Sequence, residues 1–213
     1  MLADYLINAF ATLFVTVDPI GLAPMFLAVT TGTSGVVRRS IAVRSVAIAA
    51  VLLMIFLFGG KTLLHVLGIS VPAFQVSGGL LLFYIAFEMI FAQRQKRKSE
   101  TADKLAHTDD DSSDQSHDVA VFPLAIPLIA GPASISAVIL LASQASDGIE
   151  LTGLIVVTLA IVGSCFAIFL AADRIERLMG ATVQLVLTRL LGVLLAALSV
   201  QFVADGARAF FVG

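Results

Sequence analysis

VDPIGLAPMF at residues 17–26 and AIPLIAGPASI at residues 125–135 decide how this chain folds. Pro19 and Pro24 in the first stretch have the same spacing as Pro127 and Pro132 in the second, and each pair interrupts a long apolar run. Proline lacks the amide hydrogen and clashes with the preceding turn, and glycine in a helix interior costs backbone entropy, so each run is expected to form two half-helices. Inside a bilayer, unpaired backbone groups must face protein or a water-filled cavity. Matched breaks in the two halves of a membrane chain therefore point to a transporter substrate site.

The surrounding composition supports a membrane reading. Of 213 residues, 59% are apolar and 13% charged, with a mean hydropathy of +1.01; a soluble domain carries about 25% charged residues. The net charge of −2 is unevenly spread, because Glu100, Asp103, Asp109, Asp110, Asp111, Asp114 and Asp118 share one polar stretch. No basic surface for nucleic acid is present. Cys165 is the single cysteine and lies in an apolar run, which excludes an intrachain disulfide and a cysteine metal cluster and leaves it a packing role. MLADYLINAF at the start has no Lys or Arg before its apolar stretch and no clear cleavage site, so it is expected to remain as a first span.

Six apolar runs reach the roughly 20 residues that cross a bilayer core as a helix. They fall near residues 3–29, 41–60, 70–92, 119–145, 151–172 and 183–211. The polar linker QRQKRKSETADKLAHTDDDSSDQSHD separates the third from the fourth, giving a three-span repeat (1–92), a linker (93–118) and a second three-span repeat (119–213). Arg38, Arg39, Arg94, Lys96, Arg97, Lys98, Lys104, Arg174 and Arg177 follow the first, third and fifth runs, whereas Lys61 and Arg208 mark the other side. The positive-inside rule then puts the linker in the cytoplasm and both termini outside, in the periplasm for an inner-membrane protein. With an odd number of spans per half, similar halves become an inverted repeat. The expected fold is an all-α membrane protein, a 3+3 inverted repeat with the first and fourth spans broken. VSGGLLLFYIAFEM (76–89) against RLLGVLLAALSVQF (189–202) adds a looser match, aligning Gly79 with Gly192 and Glu88 with Gln201.

On DPIGLAPMFL, VSGGLLLFYIAF, FPLAIPLIAGPASI and TRLLGVLLAALSVQFVADG the chain resembles the MarC family of six-span membrane proteins, also known as small neutral amino acid transporters. The likeness covers nearly everything except the linker. Gln75 departs from it where an arginine often precedes the paired glycines, and Ala133 where a glycine commonly follows Gly131 and Pro132. The resemblance implies a substrate such as glycine, alanine or serine; spacing and composition alone reach only a small secondary transporter.

For such a zwitterion, half-helix amides favour the carboxylate and unwound carbonyls favour the ammonium group. The expected binding residues are Val17, Asp18, Pro19, Gly21, Ala23 and Pro24 at the first break, and Pro127, Ala130, Gly131, Pro132, Ser134 and Ser136 at the second. Simple proline kinks are the ordinary alternative, and equal spacing in both halves weighs against it. Asp18 stands opposite Ile126, an asymmetric charge suited to coupling a proton or cation, or to pairing with substrate; capping the half-helix that follows is the compatible plainer role. Gln75, Arg189 and Gln201 are the polar candidates along a pathway, while Glu88 and Arg44 are read as interfacial. Gly163, Ala167 and Ala171 read as a helix-packing seam.

The acidic linker lacks the glycine and terminal glutamate of an EF-hand, and His107 and His117 have no cysteine nearby, so neither metal nor cofactor is expected. An intramembrane aspartyl protease would need a GxGD partner that is missing, and His65, His107 and His117 are poorly placed as buried bases; the chain is read as no enzyme. A passive channel and a non-transporting regulatory membrane protein are the rival readings. Expected partners are a small neutral amino acid and the lipid bilayer, with homo-oligomerisation left open.

Overall fold

A computed structural model describes residues 2–91 and 120–212; the linker, with His107 and His117, lies outside the described residues. Among them the only regular elements are helices, joined by short turns. α1 (Leu2–Val17) and α2 (Ala23–Val29) are followed by the long α3 (Gly35–Val66) and α4 (Val71–Ile90). After the linker come α5 (Ala120–Ile129) and α6 (Pro132–Gln144). One apolar helix, Gly148–Val212, then turns at Gly180, whose φ of +59 suits glycine, and so divides into α7 (Gly148–Ile175) and α8 (Thr182–Phe211). α3, α4, α7 and α8 are each long and apolar enough to cross a membrane; α1 and α6 are shorter apolar helices.

Local chemistry sets the boundaries. Ser34 and Ser70 sit in extended backbone and accept hydrogen bonds from Val37 N (3.4 Å) and Ala73 N (3.3 Å), capping α3 and α4. Asp147 Oδ1 accepts from Glu150 N at 2.8 Å, while Glu150 Oε2 accepts from Ser146 N at 2.8 Å, a reciprocal cap for α7. α3 stops at Gly68 (φ +69), where Ile69 N reaches back to Leu64 O at 2.9 Å. α5 is wound wide: its prolines cannot make the normal backbone bond, and Ala130 N donates to Ala125 O, five residues back, at 2.9 Å.

The helices pair across the halves. Leu6 of α1 fills the space beside Gly153 of α7, and Phe26 of α2 stacks on Phe169 of α7 with ring centroids 4.3 Å apart. α3 packs on α5 and α6, with Ile139 against Gly60. Each broken segment thus lies on the long second helix of the opposite half.

α4 packs along α8, running antiparallel. Gly79 faces Ser199 and Val203, and Gly192 faces Ala86 and Ile90. Under the alignment of Gly79 with Gly192, Ala86 corresponds to Ser199 and Ile90 to Val203, so the contacts are reciprocal in the manner of a two-fold interface. Burial follows the same correspondence. Leu82 and Leu195 are both fully buried, as are Ala86 and Ser199, while Leu80 and Val193 are 57% and 56% exposed. By contrast, Gly163 and Ala167 face outward, Ala171 is half-buried, and a side chain added at Gly163 would meet nothing among the described residues.

Candidate functional site

Two interruptions organise the candidate site. In the first, α1 ends at Val17 and Asp18 takes a left-handed backbone (φ +53), a region that Asp and Asn tolerate better than other side chains. Its carboxylate then turns forward, and Oδ1 accepts from Gly21 N at 3.1 Å. Leu22 N bonds to Asp18 O (3.2 Å) and Ala23 N to Ile20 O (3.2 Å), which closes the turn before Pro24 opens α2. Gly21 leaves room for the Asp18 carboxylate, which a Cβ there would displace from this bond. Val17, Asp18, Pro19, Gly21 and Ala23 are buried, Asp18 to 4% exposure, and Pro24 is half-buried.

The second interruption is built differently. α5 ends at Ile129, Gly131 in extended backbone precedes Pro132, and α6 begins with no side chain capping its first amides. Ile135 N bonds to Gly131 O at 3.0 Å, the first intrahelical bond. A Cβ at Gly131 would run into the Pro127 carbonyl. Ala130, Gly131 and Ser134 are buried and Ser136 half-buried, but Pro127 and Pro132 lie on the chain's surface. α1 packs on α6, and Tyr5 Oη donates to Leu141 O at 3.0 Å, tying the start of one to the end of the other.

Sequence reading passed over a polar lane leading to Asp18. Asn8, Thr12 and Thr16 recur every fourth residue on α1; Thr12 and Thr16 are buried. Thr12 Oγ1 donates to Asn8 Oδ1 (3.2 Å) and Thr16 Oγ1 to Thr12 O (2.8 Å). The four-residue polar period was the available signal, masked by the apolar residues around it. Among the other candidates, Gln75 is buried against Gly206, whereas Arg189 and Gln201 are exposed, Gln201 donating to Asp205 Oδ1 at 2.8 Å. Glu88, expected at the interface, is only 6% exposed, because α4 is covered by α8 and α6. With Asp18 it makes up the buried acids of the described residues; their counterparts, Ile126 and Gln201, carry no charge.

A family model described as MarC family integral membrane protein matches residues 3–211. The chain belongs to the MarC family. Like the family, this MarC protein is an integral membrane protein. It is similar to the UPF0056 membrane protein YhcE of Escherichia coli (strain K12), 32% identical with 96% of this chain and 92% of YhcE covered. The UPF0056 inner membrane protein YhgN of the same organism is 31% identical, with 98% of each chain covered. A UPF0056 membrane protein of Archaeoglobus fulgidus is 34% identical over 95% of this chain and 92% of its own length. No solved structure matches.

Proposed function

We propose that this MarC protein is a secondary transporter that moves small neutral amino acids of the glycine, alanine or serine class across the cytoplasmic (inner) membrane by alternating access. It crosses six times, as α1–α2, α3, α4, α5–α6, α7 and α8, in two inverted three-span repeats with both termini outside. Substrate lies between the two breaks, its carboxylate on the amides that open α6 near Gly131 to Ser134 and its ammonium group near Asp18 and the carbonyls around Val17. Asp18 couples the movement to an ion or proton.

The observation that carries this reading is the pair of helix breaks, at equivalent places in each half, one of which opens a 13-residue helix with uncapped amides beside buried Ser134. Half-helix ends of this kind provide the positive potential an anionic group needs. The reciprocal Gly79 and Gly192 contacts support the inverted repeat, since an axis in the membrane plane relating the halves would generate them. YhgN, named an inner membrane protein, supports the location.

Labelled glycine or alanine uptake into liposomes carrying the purified protein, with proton and sodium gradients imposed separately, tests the proposal. Saturable uptake driven by one gradient is expected. Uptake linear with concentration would identify a channel, and absence of both uptake and binding would leave the regulatory reading.

A further inference from the structure

The crossed pairing of helices gives two units, each holding one broken segment, in contact where α1 packs on α6: α1 and α2 with α7, and α5 and α6 with α3; α4 and α8 pair with each other. Resting on the transporter reading, in which these units move against each other, we propose that the Arg38–Asp173 ion pair is a latch that closes one mouth of the pathway, the cytoplasmic mouth by the positive-inside rule.

The pair has the placement a latch requires. Arg38 lies in the first turn of α3 and Asp173 near the end of α7, so a bond between them joins the two units at one end of the bundle. Tyr5 of α1 and Leu141 of α6 join the same two units elsewhere, near the start of α1 and the end of α6, through the 3.0 Å hydroxyl-to-carbonyl bond. Phe26 and Phe169 stack within one unit, so α2 is carried with α7 when α7 moves.

Its chemistry is that of a reversible contact. Arg38 Nη1 reaches both oxygens of Asp173, at 3.1 and 3.4 Å, but Arg38 Nε is buried without a hydrogen-bond partner. The guanidinium is therefore engaged through one nitrogen instead of the two-pronged fork that makes such pairs strong. The side chains are 29% and 62% exposed, which further weakens the attraction by solvent screening. A weak bond is what alternating access demands, because both the closed and the open state must remain populated.

The test uses the full chain with Cys165→Ala and a reporter, Ser134→Cys, labelled by a membrane-impermeant thiol reagent applied from each side of the membrane in turn. Arg38→Ala or Asp173→Ala should raise labelling from the cytoplasmic side by about two- to fivefold, the population shift an exposed ion pair controls. The exchanged pair, Arg38→Asp with Asp173→Arg, should return labelling toward the parent rate. Unchanged labelling in the alanine variants, or an exchanged pair no closer to the parent than either single charge reversal, would overturn the latch. The readout needs no substrate, so it separates the two claims. Uptake is measured in the Cys165→Ala chain with Ser134 intact: responsive labelling without gradient-driven uptake would uphold the latch and sink the transporter reading, and normal uptake with unresponsive labelling would do the reverse.

Discussion

At Gly131 the absence of a side chain decides whether the second break can form, since a single added carbon would meet the Pro127 carbonyl. Gly131→Ala should therefore cost about 1–3 kcal/mol, the usual penalty of overpacking against backbone, visible as a lower melting temperature in detergent. Gly59→Ala, on an exposed helix face where the new methyl meets nothing, should be neutral or stabilising in the same assay. Asp18 separates charge from turn geometry. Asp18→Asn keeps an acceptor for Gly21 N and a residue that accepts left-handed backbone, so it should fold like the parent while losing dependence of uptake on a gradient. Asp18→Ala also loses the acceptor and should be less stable by about 1–2 kcal/mol, seen as a lower melting temperature, because the buried Gly21 N is left without it; equal uptake and equal melting in both variants would remove Asp18 from both roles. VDPIG suggests a cap or a functional charge for Asp18, but the carboxylate accepts from Gly21 N within the turn and does not cap α2, whose N-cap position is Leu22 with no side-chain bond. The positive φ of Asp18 and the close approach of its carboxylate to Gly21 were not legible, since they depend on where the carboxylate turns.

Among the elements, the breaks were legible and their unequal construction was not. Proline pairs announce an interruption, yet α1 and α2 have 16 and 7 residues while α5 and α6 have 10 and 13. α5 holds Pro123 as well as Pro127, so two missing amide donors favour the wide winding that shortens it. Likewise, the alignment of Gly79 with Gly192 is visible in the letters, but contact between their helices emerges only from packing. Reciprocal contact makes a matched prediction. Gly79→Val and Gly192→Val should each destabilise by about 1–3 kcal/mol, because Gly79 lies against the Ser199 carbonyl and the Val203 side chain, and Gly192 against the Ala86 carbonyl and the Met89 and Ile90 side chains. Thermal unfolding in detergent reads both, and an undisturbed protein in either case would break the correspondence. Gly163 illustrates the converse limit: small residues every fourth position name a face without saying what covers it.

For the whole molecule, the all-helical membrane character follows from where apolar length accumulates, which is why it can be read before any contact is known; the expected orientation rests on positive charge alone. The crossed pairing of each broken segment with the opposite half's long helix was not readable, because it rests on contacts between residues more than a hundred positions apart, such as Phe26 with Phe169. Orientation is checked in intact cells by impermeant thiol labelling: with Cys165→Ala, Leu2→Cys should label from outside and Ser112→Cys should not. The reverse pattern would invert the topology. The central claim, that a small amino acid sits between the breaks, is met most directly by substrate protection of two single cysteines, Val17→Cys and Ser134→Cys, each with Cys165→Ala. Alanine or glycine at saturating concentration should slow alkylation at both positions, and phenylalanine at neither; protection at only one position, or at none, would contradict a site shared by the two broken helices.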